Sequence, residues 1–126
     1  MVVYYAHHQY IYFSRREQLE LNLIKSYFTN PEIINPALFD FNNSSAKLTE
    51  VEIMDYCFNQ VLSSDILVFG SIDGFVGKGV HDEVLTALTN NIPVYEITKT
   101  EIIPFTGIFD LLNRDSNRIY AQVIRQ

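Results

Sequence analysis

Residues 65–79 read Asp-Ile-Leu-Val-Phe-Gly-Ser-Ile-Asp-Gly-Phe-Val-Gly-Lys-Gly. From Asp65 to Gly70 the run is apolar on both faces, the pattern of a strand buried on both sides within a parallel sheet. Ser71–Gly79 is a glycine-rich loop. Beyond it Val80, Val84, Ala87 and Leu88 recur at i, i+4, i+7 and i+8, which predicts a helix from about Gly79 to Asn90. Asn90-Asn91 ends that helix, and Pro93–Ile97 reads as the next strand. A buried strand, a loop, a helix and a second strand in this order form the repeating unit of a parallel α/β sheet.

Working towards the amino terminus, Thr49-Glu50-Val51-Glu52 has the spacing of a capping box, and Ile53, Cys57, Phe58 and Val61 mark the buried face of a helix ending near Leu62. Cys57 on that face reads as a buried, inert thiol rather than a reactive one. Residues 37–48, with Asp40, Asn42, Asn43, Ser44 and Ser45, lack periodicity and have the composition of a flap over a site. Glu32–Asn35 is a short strand closed by Pro36. Ser14 and Glu17 form a second capping-box pattern before Leu19, Leu23, Ile24 and Tyr27, with Asn30-Pro31 as the stop. Met1–Ala6 is a continuous apolar strand. Towards the carboxyl terminus, Phe105–Leu112 reads as a short helix and Arg118–Ile124 as a last strand.

The alternation implies an α/β, Rossmann-like three-layer sandwich with a mostly parallel sheet of about five strands, as one domain over residues 1–126. The 126 residues suit one core rather than two. A net charge of −6, from nine Lys and Arg against 15 Asp and Glu, disfavours a nucleic-acid polymer or an anionic membrane as partner. One cysteine excludes an internal disulfide and a Cys-based zinc site. The apolar opening is too short for a membrane span or signal peptide, so a cytoplasmic protein is expected.

In a parallel sheet, ligands sit at the carboxyl ends of the strands near the switch in strand order. Tyr4–Tyr10, Asn35–Phe39 and Gly70–Glu83 should converge there. The 70–79 loop is not a Walker A loop, because Ile72 and Gly79 stand where that motif needs Gly and Ser or Thr. Its glycines fit either close approach to a ligand or a plain turn. Glu83 is placed in the first helical turn. There the helix dipole favours a carboxylate, which suits a nucleophile but also explains an acidic residue with no chemical role. His7 and His8 end the first strand. One of them is expected to face the crevice, as a general acid or substrate contact, and the other to lie on the surface. Tyr10 and Tyr12 fit base stacking or simple packing. With His81 far from His7 and His8, a metal site lacks a third ligand, and no cofactor is implied.

The stretch Asp65–Phe69, then Asp73-Gly74, then Gly79-x-x-x-Glu83-x-x-x-Ala87 and Asn91-Ile92-Pro93-Val94 resembles the nucleoside 2-deoxyribosyltransferase family. In that family an Asp-initiated apolar strand precedes a variable loop, a G-x-x-x-E-x-x-x-A helix and a strand opening with Pro-Val. Tyr4-Tyr5-Ala6 resembles the family's Y-x-A/G at the end of the first strand. The resemblance covers about two-thirds of the chain and extends to the related nucleoside 5′-monophosphate N-glycosidases. It implies that Glu83 attacks C1′ of a nucleoside or nucleotide, displacing the base to give a glycosyl-enzyme ester, with the sugar then passed to water or a second base. It implies that Tyr4 fixes and tunes Glu83, and that Asp65 or Asp73 hydrogen-bonds or protonates the leaving base; an Asp opening a parallel strand, as Asp65 does, equally caps the preceding turn through its backbone bonds.

The sequence departs from the family at Gly77, where an Asp or Ser is frequent, at His7-His8 in place of Gly-Pro, and at Leu85 in place of a glycine. Lys78 with the Gly77–Gly79 amides is a candidate phosphate contact, which would favour a nucleotide. The family assembles as homo-oligomers, so a partner subunit is expected, with Asn113 or Asn117 as the residue it contributes. A non-catalytic nucleotide-binding domain on the same scaffold is the competing expectation.

Overall fold

The computed structural model describes residues 1–39 and 48–107. Five strands, β1 (Val2–Ala6), β2 (Glu32–Ile34), β3 (Ile66–Phe69), β4 (Val94–Thr98) and β5 (Glu101–Phe105), form one sheet in the order β2-β1-β3-β4-β5. The first four are parallel, with Tyr4 beside Leu67 and Leu67 beside Val94. β5 returns antiparallel to β4 through a tight turn at Lys99-Thr100. A helix joins each pair of successive parallel strands, as parallel pairing requires. These are α1 (Arg15–Tyr27), α2 (Glu50–Leu62) and α3 (Lys78–Thr89).

Two cores sit on opposite faces of the sheet. On one face Tyr4, Ala6, Leu67 and Phe69 meet Val61 of α2 and Val80, Val84 and Ala87 of α3. On the other, Val3, Tyr5, Ile66 and Val68 meet Ile24 of α1 and Ile97 and Ile102 of the terminal hairpin. The result is the expected α/β three-layer arrangement. β1 and β3 are buried on both faces, which is why their sequences run apolar without alternation. Full burial of a side chain such as Leu67 or Phe69 contributes about 1.5–3 kcal/mol.

Local signals set most boundaries. Thr49 and Glu52 make both bonds of a capping box at the start of α2. Ser14 caps α1 by accepting from the Glu17 amide, but the Glu17 carboxylate accepts from the Phe13 amide at 3.2 Å instead of completing the box. Asn35 Oδ1 accepts from the Ala37 amide at 2.9 Å and starts a single 3-10 turn over Pro36–Leu38. Cys57 is buried as expected, and burial, with the Glu83 charge, pushes its thiol up from 9.0 to about 11.

The carboxyl-terminal expectation needs correction. Phe105 ends strand β5 rather than starting a helix. Pro104 hid this strand, because proline is excluded from central strands yet tolerated at a sheet edge, where β5 lies. Residues 108–126, with the expected strand at Arg118–Ile124 and with Asn113 and Asn117, lie outside the described residues, as do 40–47 of the expected flap.

Candidate functional site

The chain reverses its direction across the sheet between β1 and β3. From β1 it steps outward to β2 and then crosses back to β3. The carboxyl ends of β1 and β3 therefore flank the switch point where such sheets bind ligands. Alternation along β1 sends Tyr4 to the α3 face, and the 3.6-residue period of α3 puts Glu83 on its buried stripe with Val80, Val84 and Ala87. The Tyr4 hydroxyl donates to Glu83 Oε2, joining two side chains 79 residues apart.

The electrostatics of Glu83 differ from the sequence expectation. Gly77 is the cap of α3 and Lys78 its first residue, so Glu83 lies in the second turn and not the first. The helix dipole weakens beyond the first turn. With only 6% of its surface exposed, Glu83 is governed by burial, which pushes its carboxyl from 4.5 up to about 7. The Tyr4 hydrogen bond opposes that rise and the Asp82 charge adds to it. Burial and the Glu83 charge hold the Tyr4 phenol far above its ordinary value, so it remains a donor. A carboxyl poised near neutrality and held by a fixed donor can serve as acid, base or nucleophile.

Asp65 is not part of this arrangement. It precedes β3, at the amino end of the sheet, and its Oδ2 accepts from the Val2 amide at 2.6 Å. Four residues of strand, roughly 13 Å at about 3.3 Å each, separate it from the carboxyl end. An Asp that opens a strand cannot reach a site built where strands finish. Its place in the sequence motif reflects a backbone cap.

Asp73 lies at the tip of a tight turn. Ile72 and Phe75 exchange backbone hydrogen bonds of 2.9 Å, with Asp73 at φ 51° and Gly74 at φ 84°. Positive φ at both central residues is the type I′ geometry that Asp-Gly favours. The turn places Asp73 at the edge of a cleft of about 560 Å³ on the α1 side, with Arg16, Glu20 and Lys99. Lys78 is exposed and pairs with Asp82 at 3.1 Å. Gly77 is the cap and makes no side-chain hydrogen bond. A Cβ at Gly79 would meet nothing within 4 Å among the described residues, and neither Gly77 nor Gly79 has positive φ.

His7 points to the α1 face, away from Glu83. Its ring stacks on Tyr5 with centroids 3.7 Å apart, Nδ1 lies 3.0 Å from the Tyr5 carbonyl, and Nε2 lies 2.7 Å from Glu17 Oε2. His8 is half-buried. Its Nδ1 accepts from the Tyr10 amide at 3.0 Å, capping the 3-10 turn over Gln9–Ile11. Burial and the neighbouring His7 lower the His8 pKa below its ordinary value. Tyr10 is 82% exposed. Tyr12 is half-buried, and burial together with the charges of Glu83, Cys57 and Glu17 raises its phenol to about 12.

Sequence reasoning missed a second buried polar group. Tyr5 donates its hydroxyl to Glu20 Oε1 on the α1 face, mirroring Tyr4 and Glu83 across the sheet. Arg16 Nε contacts Glu20 Oε2 at 3.3 Å, and Arg16 Nη2 donates to the Ser71 carbonyl. A side chain at Gly70 would displace the Glu20 carboxylate from its place beside Tyr5 and Arg16, so the glycine allows this close approach. The available signal was the i, i+4 spacing of Arg16 and Glu20, which reads equally well as a surface pair.

Among the described residues, no group of three His, Cys, Asp or Glu side chains is arranged to hold a metal ion. Within the same residues, no helix is long and apolar enough to cross a membrane.

No family model matches the sequence, and no curated protein matches it. A solved structure does: a conserved protein from Enterococcus faecalis V583, at 22% identity and a TM-score of 0.63. The likeness covers 76% of this chain and 62% of that one, so the chain spans less than two-thirds of the protein it matches. It shows the α/β fold.

Proposed function

We propose that the protein cleaves or transfers the N-glycosidic bond of (deoxy)nucleosides or nucleoside 5′-monophosphates, with Glu83 as nucleophile. The observation that carries this reading is the buried hydrogen bond from Tyr4 to Glu83 at the β1/β3 switch point. Tyr4 leaves one carboxylate oxygen, Oε1, without a bond from it and holds the other in one rotamer. As the base departs, positive charge grows on the sugar, and a carboxylate in a water-poor setting stabilises that charge before forming the ester. Asp73, on the opposite face of the sheet, and Asp65, at its far end, are not placed to protonate the base. We assign that proton to solvent or to a residue outside the described set. A neighbouring subunit of a homo-oligomer is one source of such a residue, and size-exclusion chromatography tests for the assembly.

The test is incubation with a panel of nucleosides and 5′-monophosphates, read by release of free base. Wild-type protein should release base, and Glu83→Ala and Glu83→Gln should not. A folded wild-type protein inactive on every member of the panel would overturn the assignment.

A second reading, a non-catalytic nucleotide-binding domain, is favoured by one feature: a carboxyl titrating near 7 is largely protonated, and a poor nucleophile, in mildly acidic solution. It predicts that a ligand at a hundredfold excess over Kd stabilises the fold by about 2.7 kcal/mol, read as a higher melting temperature, without base release.

A further inference from the structure

We propose that the cleft beside α1 binds a free amino acid with a large apolar side chain. Its carboxylate docks on Arg16 and Lys99, its ammonium group on Asp73, and its side chain lies along the leucines of α1.

The cleft measures about 560 Å³, within the range of about 300–1,000 Å³ that holds a small molecule. Its walls come from α1, the Asp73-Gly74 turn, and the end of β4 with Lys99. It opens at the carboxyl ends of β3 and β4, where α/β sheets take ligands, but on the face opposite Glu83. The glycosidic chemistry proposed for Glu83 does not use it.

The Arg16 guanidinium is pre-set at this cleft. Its Nε lies 3.3 Å from Glu20 Oε2 and its Nη2 donates to the Ser71 carbonyl, so the planar group is held from two sides. The Glu20 carboxyl that holds it is 5% exposed and accepts from Tyr5 as well. Two of the five guanidinium N–H groups are spent on these contacts, and three remain. With the side chain 46% exposed, those three can be reached from solvent. A guanidinium fixed before binding loses little freedom when a carboxylate docks on its fork.

The other charges define the ligand. The side chains of Lys99 and Asp73 both line the cleft, yet neither makes a hydrogen bond or ion pair among the described residues. Opposite charges that share a wall without pairing leave room for a molecule that carries both signs. Arg16 offsets Glu20, which leaves Lys99 against Asp73 and Glu96. That acidic excess disfavours a bare anion. A bare amine would cover the remaining Arg16 donors and accept from none of them. A zwitterion satisfies both sides. Leu19, Leu23 and Ile97 form the apolar wall, and Leu19 is 54% exposed. Past them, hollows of about 300 and 370 Å³ continue along α1 towards Tyr27 and Ile102. A long apolar side chain laid there removes leucine surface from water.

Three probes separate these contributions by calorimetry on the intact chain: phenylalanine, hydrocinnamate without the amine, and phenethylamine without the carboxylate. Phenylalanine should bind saturably, one molecule per chain. Either analogue, and alanine, should bind about tenfold more weakly or worse. Asp73→Asn keeps the turn, because Asn-Gly favours the same geometry as Asp-Gly. It should weaken phenylalanine and phenethylamine about tenfold and leave hydrocinnamate unchanged. Lys99→Gln breaks no bond among the described residues, and should weaken phenylalanine and hydrocinnamate while sparing phenethylamine. Methyl NMR shifts on binding should appear at Leu19, Leu23 and Ile97 and not at Val80 or Val84. Absence of saturable binding by both phenylalanine and leucine would overturn the proposal. So would equal affinity for the three probes, or a variant that weakens all three alike. Protein that binds phenylalanine but releases no base would sink the glycosidic reading alone. Base release without phenylalanine binding would sink this one alone.

Discussion

Replacing Glu83 by glutamine should stabilise the protein in alkaline solution while removing the proposed activity. Glutamine has the shape of the carboxyl group, and its amide oxygen can still accept from Tyr4. What it removes is the obligation to bury a charge. The folded protein binds the Glu83 proton more tightly than the unfolded chain, with a carboxyl that titrates near 7 instead of 4.5. The stability this confers is complete below pH 4.5 and is lost as pH rises through 7. At about 1.4 kcal/mol per pH unit, the difference amounts to about 3 kcal/mol. For a chain of this length that corresponds to roughly 10 °C in melting temperature.

The glutamine nitrogen brings hydrogens that need partners, a cost of about 1–3 kcal/mol that does not vary with pH. The informative quantity is therefore how the gap between the two proteins changes with pH. Urea unfolding of wild type and Glu83→Gln at pH 5 and pH 8 measures it. The variant should gain about 2.5 kcal/mol relative to wild type between pH 5 and pH 8, the larger part of the full difference. A gap that stays constant to within about 0.5 kcal/mol would show that Glu83 ionises as freely in the folded protein as in the unfolded chain, and would refute the burial argument.

Three further outcomes follow from the same geometry. Tyr4→Phe removes the contact that opposes the rise at Glu83, so the rising limb of any pH–rate profile should move to higher pH, with a stability loss of about 1–3 kcal/mol by urea unfolding at pH 8. Gly70→Ala should destabilise the fold by about 1–3 kcal/mol in thermal unfolding, because its methyl group collides with the Glu20 carboxylate, and Glu20→Ala should relieve part of that loss. Asp65→Ala should leave kcat for base release within about twofold of wild type while lowering the melting temperature, by the loss of a backbone cap of about 0.5–2 kcal/mol.

The parallel sheet was legible because β3 is apolar on both faces and because Val80, Val84 and Ala87 keep a helical period. The pairing of Tyr4 with Glu83 was legible through family resemblance, and strand alternation makes it physically reasonable. Asp65 opens its strand in the sequence as in the structure, and of its two readings there, backbone cap and contact to the leaving base, the structure shows the cap. Glu17 and Glu20 were invisible for a different reason. Charged residues early in a helix normally face water, and only the three-dimensional approach of Tyr5 and His7 makes these two interior. The hairpin at β5 was obscured by Pro104, and the Asp73-Gly74 turn was a local signal that the glycine-rich reading of the loop passed over.

The paired bonds of Tyr4 and Tyr5 also bear on how β1 finds its place. Val3, Tyr4, Tyr5 and Ala6 are all buried, so hydrophobicity alone would tolerate a slip of one residue along the neighbouring strands. Such a slip would set one tyrosine in the other's slot and carry the second two residues away from the place its face requires, stranding one of the two interior carboxyl groups. The two glutamates thus act as a key with a tooth on each side. They allow the strand to seat in a single alignment, and they make the polar groups of this interior a source of uniqueness where the apolar ones supply only cohesion.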